Sequence, residues 1–160
     1  MDQQVDALRD GIDRGEAVIV VHYACENLHT ATDHPPAVSA IAVHSVAGSS
    51  TMVLSRTEYP AGTDAADAEV RMLTRFFEHL QNAAGAKVVH WNMSRAQYGF
   101  DALASRYRFL TNKEPPYVLV ASARFDLDDL VAATRSMIEL ETMVLPIAAC
   151  GLHCGRCSNR

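Results

Sequence analysis

Apolar positions along this chain change period several times, and each change predicts an element. Val5, Leu8 and Ile12 recur at helical spacing between residues 3 and 15, with Gly15 closing the segment. That pattern predicts a short amphipathic helix. Ala17-Val18-Ile19-Val20-Val21-His22-Tyr23 is a nearly unbroken apolar run rich in β-branched residues, as in a strand covered on both faces. Residues 37–46 and 50–55 predict two more strands around an Ala47-Gly48-Ser49 turn, so the three form an antiparallel meander. Thr63 then offers an N-cap with acids in the following turn. Val70, Leu73, Phe76, Phe77 and Leu80 make a helical stripe ending near Asn82. Residues 86–91 predict a fourth strand. Residues 95–110, with Phe100, Leu103, Tyr107 and Leu110, predict a second long helix. After a Lys113-Glu114-Pro115-Pro116 turn, residues 118–121 predict a short fifth strand, and residues 127–140 a third long helix capped by Asp126.

A meander followed by β-α-β units predicts an α/β domain, a mixed sheet with helices on its faces. At 160 residues one domain is the default. Residues 1–145 carry the regular pattern, and residues 146–160 turn abruptly into a Cys-, Gly- and His-rich tail. Hydrophobic residues make up 49% and charged residues 21%, ordinary for a soluble globular protein. The net charge of -5 argues against broad non-specific nucleic-acid binding, which needs a basic surface. It leaves open a site where acids hold a cation against a phosphate. No apolar run reaches membrane-spanning length, and Met1 to Asp6 carry acids rather than an apolar core. A cytoplasmic chain with no membrane partner is expected.

The chemistry concentrates in Val88-Val89-His90-Trp91-Asn92-Met93 and the following Tyr98-Gly99-Phe100-Asp101-Ala102-Leu103. An apolar run ends in a polar His-x-Asn step, at the strand end where α/β proteins build sites. This stretch resembles the second motif of the metal-dependent 3′-5′ exonucleases on the ribonuclease H-like fold, over roughly residues 17–135. The resemblance implies that fold, and a two-metal reaction in which four carboxylates hold magnesium or manganese. It also shows what is missing. The first motif, Asp-x-Glu, reads Ala24-Cys25-Glu26, so Glu26 alone remains; the second-motif Asp reads Gly99; the third motif has no clear counterpart. One carboxylate cannot hold a divalent cation usefully, because oxygen-ligand sites need several convergent groups. A rebuilt site would have to draw on Glu26, Asp101 and Asp126. Asp101 follows the lost position by two residues, a rotation of roughly 200° on a helix, and should face away.

Several residues carry both a functional and a structural reading. His90 and Asn92 could touch a sugar or phosphate, or cap the following helix. Tyr98 could stack on a base or pack in the core. Arg71, Arg75, Arg95, Arg106 and Arg108 form the only basic concentration. Arg106 matches a position where related nucleases carry Arg, and it could contact nucleic acid or pair with a carboxylate to fix its helix. His22, His29, His34 and His44 are too irregularly spaced for a zinc site. Cys150, His153, Cys154 and Cys157 could supply four zinc ligands, although closed sites usually draw pairs from separate segments.

Three readings follow. The first is a catalytically silent exonuclease-like domain that binds nucleic acid weakly, through His90, Asn92, Tyr98 and Arg106, or supports a nucleic-acid-processing partner, with no cofactor. The second is an active exonuclease with a rebuilt metal site. The third is a protein-interaction module whose tail binds zinc.

Overall fold

The computed structural model describes residues 3–27, 34–95 and 97–133. Helix α1 spans Gln3–Asp13, and strands β1 (Val18–Cys25), β2 (Val38–Ser45) and β3 (Ser50–Ser55) follow. Both β1–β2 and β2–β3 pair antiparallel, so the meander forms as its apolar runs predict. Helix α2 (Ala65–Asn82) leads to β4 (Lys87–His90). A two-residue ladder, β5 (Ser94–Arg95) with β6 (Tyr98–Gly99), precedes α3 (Phe100–Thr111). β7 (Arg124–Asp126) runs directly into α4 (Leu127–Ala133).

The five-stranded sheet is mixed, in the order β3-β2-β1-β4-β7. β4 is parallel to both β1 and β7. The β-branched run of β1 is buried on both faces because helices cover both. Ile19, Val21 and Tyr23 pack with Leu73, Phe76 and Phe77 of α2 and with Leu103 and Tyr107 of α3. Val18 and Val20 pack with Val5 and Leu8 of α1 and Leu130 of α4. Alternation along a strand sends successive side chains to opposite faces, and here both sides are dry.

Several details differ from the sequence-based expectation. Asp64, not Thr63, caps α2, accepting from the N–H of Ala66 and Asp67 at 2.9 and 3.3 Å. The helix expected from Arg95 starts at Phe100, because the β5–β6 ladder occupies its first turn. The strand expected at residues 118–121 is absent, although Tyr117 and Leu119 do turn inward. The fifth strand of the sheet lies at Arg124–Asp126 instead, where Phe125 fills the second core. Val70 is only half-buried, and Glu69 takes its place on the buried face of α2.

β1, β4 and β7 run the same way, so their carboxyl ends share one edge of the sheet. β1 outruns β4 there: the last pair is Val21 with His90, and β1 continues to Cys25.

Candidate functional site

The shared edge holds most of the residues to which the sequence points. Glu26 follows β1, His90 ends β4, and Asp126 ends β7. Each is engaged by the surrounding chain.

Asp126 is the hub. Its Oδ1 accepts from the N–H of Asn92 at 2.9 Å and from the N–H of Asp128 at 3.2 Å. Its Oδ2 accepts from the Ser94 hydroxyl at 2.9 Å. The contact to Asp128 caps the first turn of α4, as short polar side chains do ahead of a helix. The contacts to Asn92 and Ser94 tie the loop after β4 to β7. Asn92 adopts φ 53°, a left-handed conformation that Asn tolerates better than most residues. That turn aims its N–H at the carboxylate.

His90 is 1% exposed. Its Nδ1 accepts from the Met93 N–H at 3.4 Å, and Asp126 Oδ2 lies 3.6 Å away. Its ring meets Phe100 edge-on at 5.4 Å. Burial in this apolar setting pushes the imidazole pKa below its usual range; the Asp126 carboxylate opposes that shift, and Arg124 adds to it. The ring is therefore a neutral packing group near neutral pH.

Beyond the end of β4, the β5–β6 ladder rests against β1. Tyr98 stacks on Tyr23 with ring centroids 4.5 Å apart. The Tyr98 hydroxyl donates to the Tyr23 carbonyl at 2.9 Å, and the Gly99 N–H donates to the Tyr23 hydroxyl at 2.9 Å. Tyr98 is buried, so its ring face is already covered by protein. Gly99 has φ 153°, and a Cβ built there would overlap the carbonyl oxygen of Met93. No side chain fits at that position without moving the loop.

Glu26 ties the two sides of a loop together. Its N–H donates to the Ala37 carbonyl at 2.9 Å, and its Oε2 accepts from the Ala37 N–H at 3.1 Å. Asp101 points to solvent, with its side chain 68% exposed, and pairs with Arg124 at 3.2 Å. Arg106 lies in the interior. Its Nε and one terminal nitrogen donate to the two oxygens of Glu69, each at 2.9 Å, and the other terminal nitrogen donates to the Pro35 carbonyl at 3.0 Å. Glu69, 1% exposed, also accepts from the Val38 N–H at 2.7 Å. One buried ion pair thus joins α2, α3 and the start of β2.

Glu69, Ser94 and Tyr23 were not singled out in the sequence. Glu69 had a signal: it lies at helical spacing with Leu73, Phe76 and Leu80. An acid on an apolar stripe implies a buried cationic partner. Tyr23 and Ser94 act through contacts that span long loops, which no local pattern reveals.

Each of the three carboxylates proposed for a rebuilt metal site has a protein partner. Asp126 faces three donors, Glu26 is bonded to a backbone N–H, and Asp101 is outside on a helix surface. Among the described residues, no group of three or more His, Cys, Asp or Glu side chains is placed to hold a metal ion. Cys150, His153, Cys154, Cys157 and His29 lie outside the described residues. No helix among the described residues is long and apolar enough to cross a membrane. A comparison with protein-family profiles, curated proteins and solved structures finds no match to this chain.

Proposed function

We propose that this chain is a catalytically silent, exonuclease-like domain of ribonuclease H-like type, which works by supporting a nucleic-acid-processing partner rather than by cutting a substrate. The observation that carries the reading is at Gly99. The position to which the resemblance assigns a ligand carboxylate is filled by the Met93 carbonyl. The strand order β3-β2-β1-β4-β7, with only β2 reversed, supports the ribonuclease H-like part. The engagement of Asp126, Glu26 and Arg106 supports the silent part: these groups hold chain segments together instead of facing a ligand. Direct nucleic-acid binding draws less support, since His90, Tyr98 and Arg106 are all buried and the chain is acidic.

Incubation of the purified chain with a labelled single-stranded oligonucleotide and manganese tests the proposal. The oligonucleotide should stay full length. Shortening that disappears in Glu26→Gln would restore the enzyme reading. Tight binding of the same strand at physiological salt would restore the nucleic-acid reading.

A further inference from the structure

We propose that the open edge of β3 is a docking strand for an acidic, extended segment of a partner protein, which adds to the sheet beside it. This inference rests on the reading that the domain works through a partner. β3 terminates the sheet, and among the described residues nothing pairs with its outer side. Its six residues, Ser50-Thr51-Met52-Val53-Leu54-Ser55, include no charge and no Pro. The ladder to β2 runs in continuous register from Ser50 to Ser55. Sheet edges are usually blunted by Lys, Pro, a bulge or a covering element, because a row of open N–H and C=O groups templates pairing with another chain. This edge has none of the first three. It also presents Val53 at 41% exposure, an apolar contact for an added strand. Strand addition draws affinity from the main chain and specificity from the side chains beside it.

The flanking charges select the partner. Arg56 follows β3 directly and opens a short turn ending at Glu58. Arg75 of α2 reaches Glu58 at 3.2 Å. Arg71 stands one helical turn before Arg75 on the same face. Among the described residues, neither Arg56 nor Arg71 is in ion-pair contact with a carboxylate. Asp67 and Glu78 share that helix face and pair with none of these arginines. Arg56, unpaired directly after the open edge, and Arg71, unpaired on the helix whose Arg75 reaches Glu58, favour a strand bearing carboxylates. A second copy offers no such complement: antiparallel self-pairing of Ser50 with Ser55 would set Arg56 opposite Ser49, where no carboxylate meets it.

The test uses the full chain labelled with nitrogen-15 and two probes, an octapeptide of alternating Glu and Val and its Lys-Val counterpart. The acidic probe should shift the amides of Ser50 to Ser55 and bind about tenfold more tightly than the basic one. Arg56→Glu, at a half-buried position, with Arg71→Glu, at an exposed one, should remove that preference while the amide spectrum keeps its native dispersion. Val53→Lys should weaken both probes. Equal binding of the two peptides, no binding at millimolar peptide, or shifts confined to other strands would overturn the inference. Concentration-dependent dimerisation abolished by Val53→Lys would assign the edge to a second copy and also overturn it. A chain that cuts oligonucleotides yet still prefers the acidic probe would refute only the silent reading. A chain that cuts nothing and ignores both probes would refute only this one.

Discussion

Tyr98 and Tyr23 lock each other in place: the Tyr98 hydroxyl donates to the Tyr23 carbonyl, and the Tyr23 hydroxyl accepts from the Gly99 N–H, both at 2.9 Å. The stacked pair fills the space beside β1 that β4, ending at His90, leaves open. Tyr98→Phe keeps the ring and removes only the hydroxyl, leaving a buried carbonyl short of a donor. A loss of about 1–2 kcal/mol in unfolding free energy is expected by urea titration. A neutral result would show that the Tyr98 hydroxyl does not hold the pair together.

Asp126→Ala removes the acceptor for three donors at once, the Asn92 and Asp128 N–H groups and the Ser94 hydroxyl. Each unmet donor near the interior costs on the order of 1 kcal/mol, so a loss of about 2–4 kcal/mol is expected. Hydrogen exchange should speed most at Asn92. If Asp126 instead faced a ligand, its removal would leave stability unchanged or raise it, as relief of a strained site does.

Glu69→Leu and Arg106→Met should each be strongly destabilising, by about 3–5 kcal/mol, since each strands a buried charge or its donors. The double variant Glu69→Leu with Arg106→Met should recover part of that loss. Denaturation midpoints of the four proteins form a cycle, and additive single effects would mean that the two residues do not act as a pair.

Much of the fold is legible locally. The apolar runs of β1, β2 and β3 and the stripe of α2 specify their elements because burial on one or two faces leaves a periodic trace. The start of α3 is not legible, since Ser94–Arg95 and Tyr98–Gly99 pair only when Gly99 lets the Met93 carbonyl come close. The last strand is misplaced for a related reason. Residues 118–121 have strand-like residues, yet Arg124 donates to the Leu119 carbonyl at 2.6 Å and holds that segment outside the sheet. The site is the least legible part. Glu26, His90, Asp126 and Arg106 are residue types that suit catalysis equally well as structure, and only their partners, distant in sequence, separate the two roles.

Stability should fall on mild acidification. His90 and His22 are both held below the usual His range, first by burial. The unfolded chain takes up their protons near an ordinary pKa of about 6.5, whereas the folded chain does so only at lower pH. Their contribution is therefore complete above about pH 6.5 and declines as pH drops through and below that value. The denaturant midpoint should be lower at pH 5 than at pH 7.5, and His90→Gln should shrink the difference. A midpoint that rises toward pH 5 would show that the Asp126 carboxylate outweighs burial at His90.

Gly99→Ala should lower stability by about 3 kcal/mol or more, because the new methyl has no space beside the Met93 carbonyl. Gly62→Ala is the control. Its φ is also positive, at 94°, but a Cβ there meets nothing, so only the smaller conformational cost of about 1 kcal/mol applies. Equal losses at the two positions would mean that the loop after β4 yields readily.

Paramagnetic relaxation by manganese reads the cation-holding capacity of the β1–β4–β7 edge directly. With the metal added to a nitrogen-15-labelled sample, the amides of Glu26, Asn92, Ser94 and Asp126 should broaden no more than those of exposed acids elsewhere. Selective, saturable broadening at those four amides, removed by Asp126→Asn, would mean that the carboxylates grip a cation and that the silent-domain account is wrong.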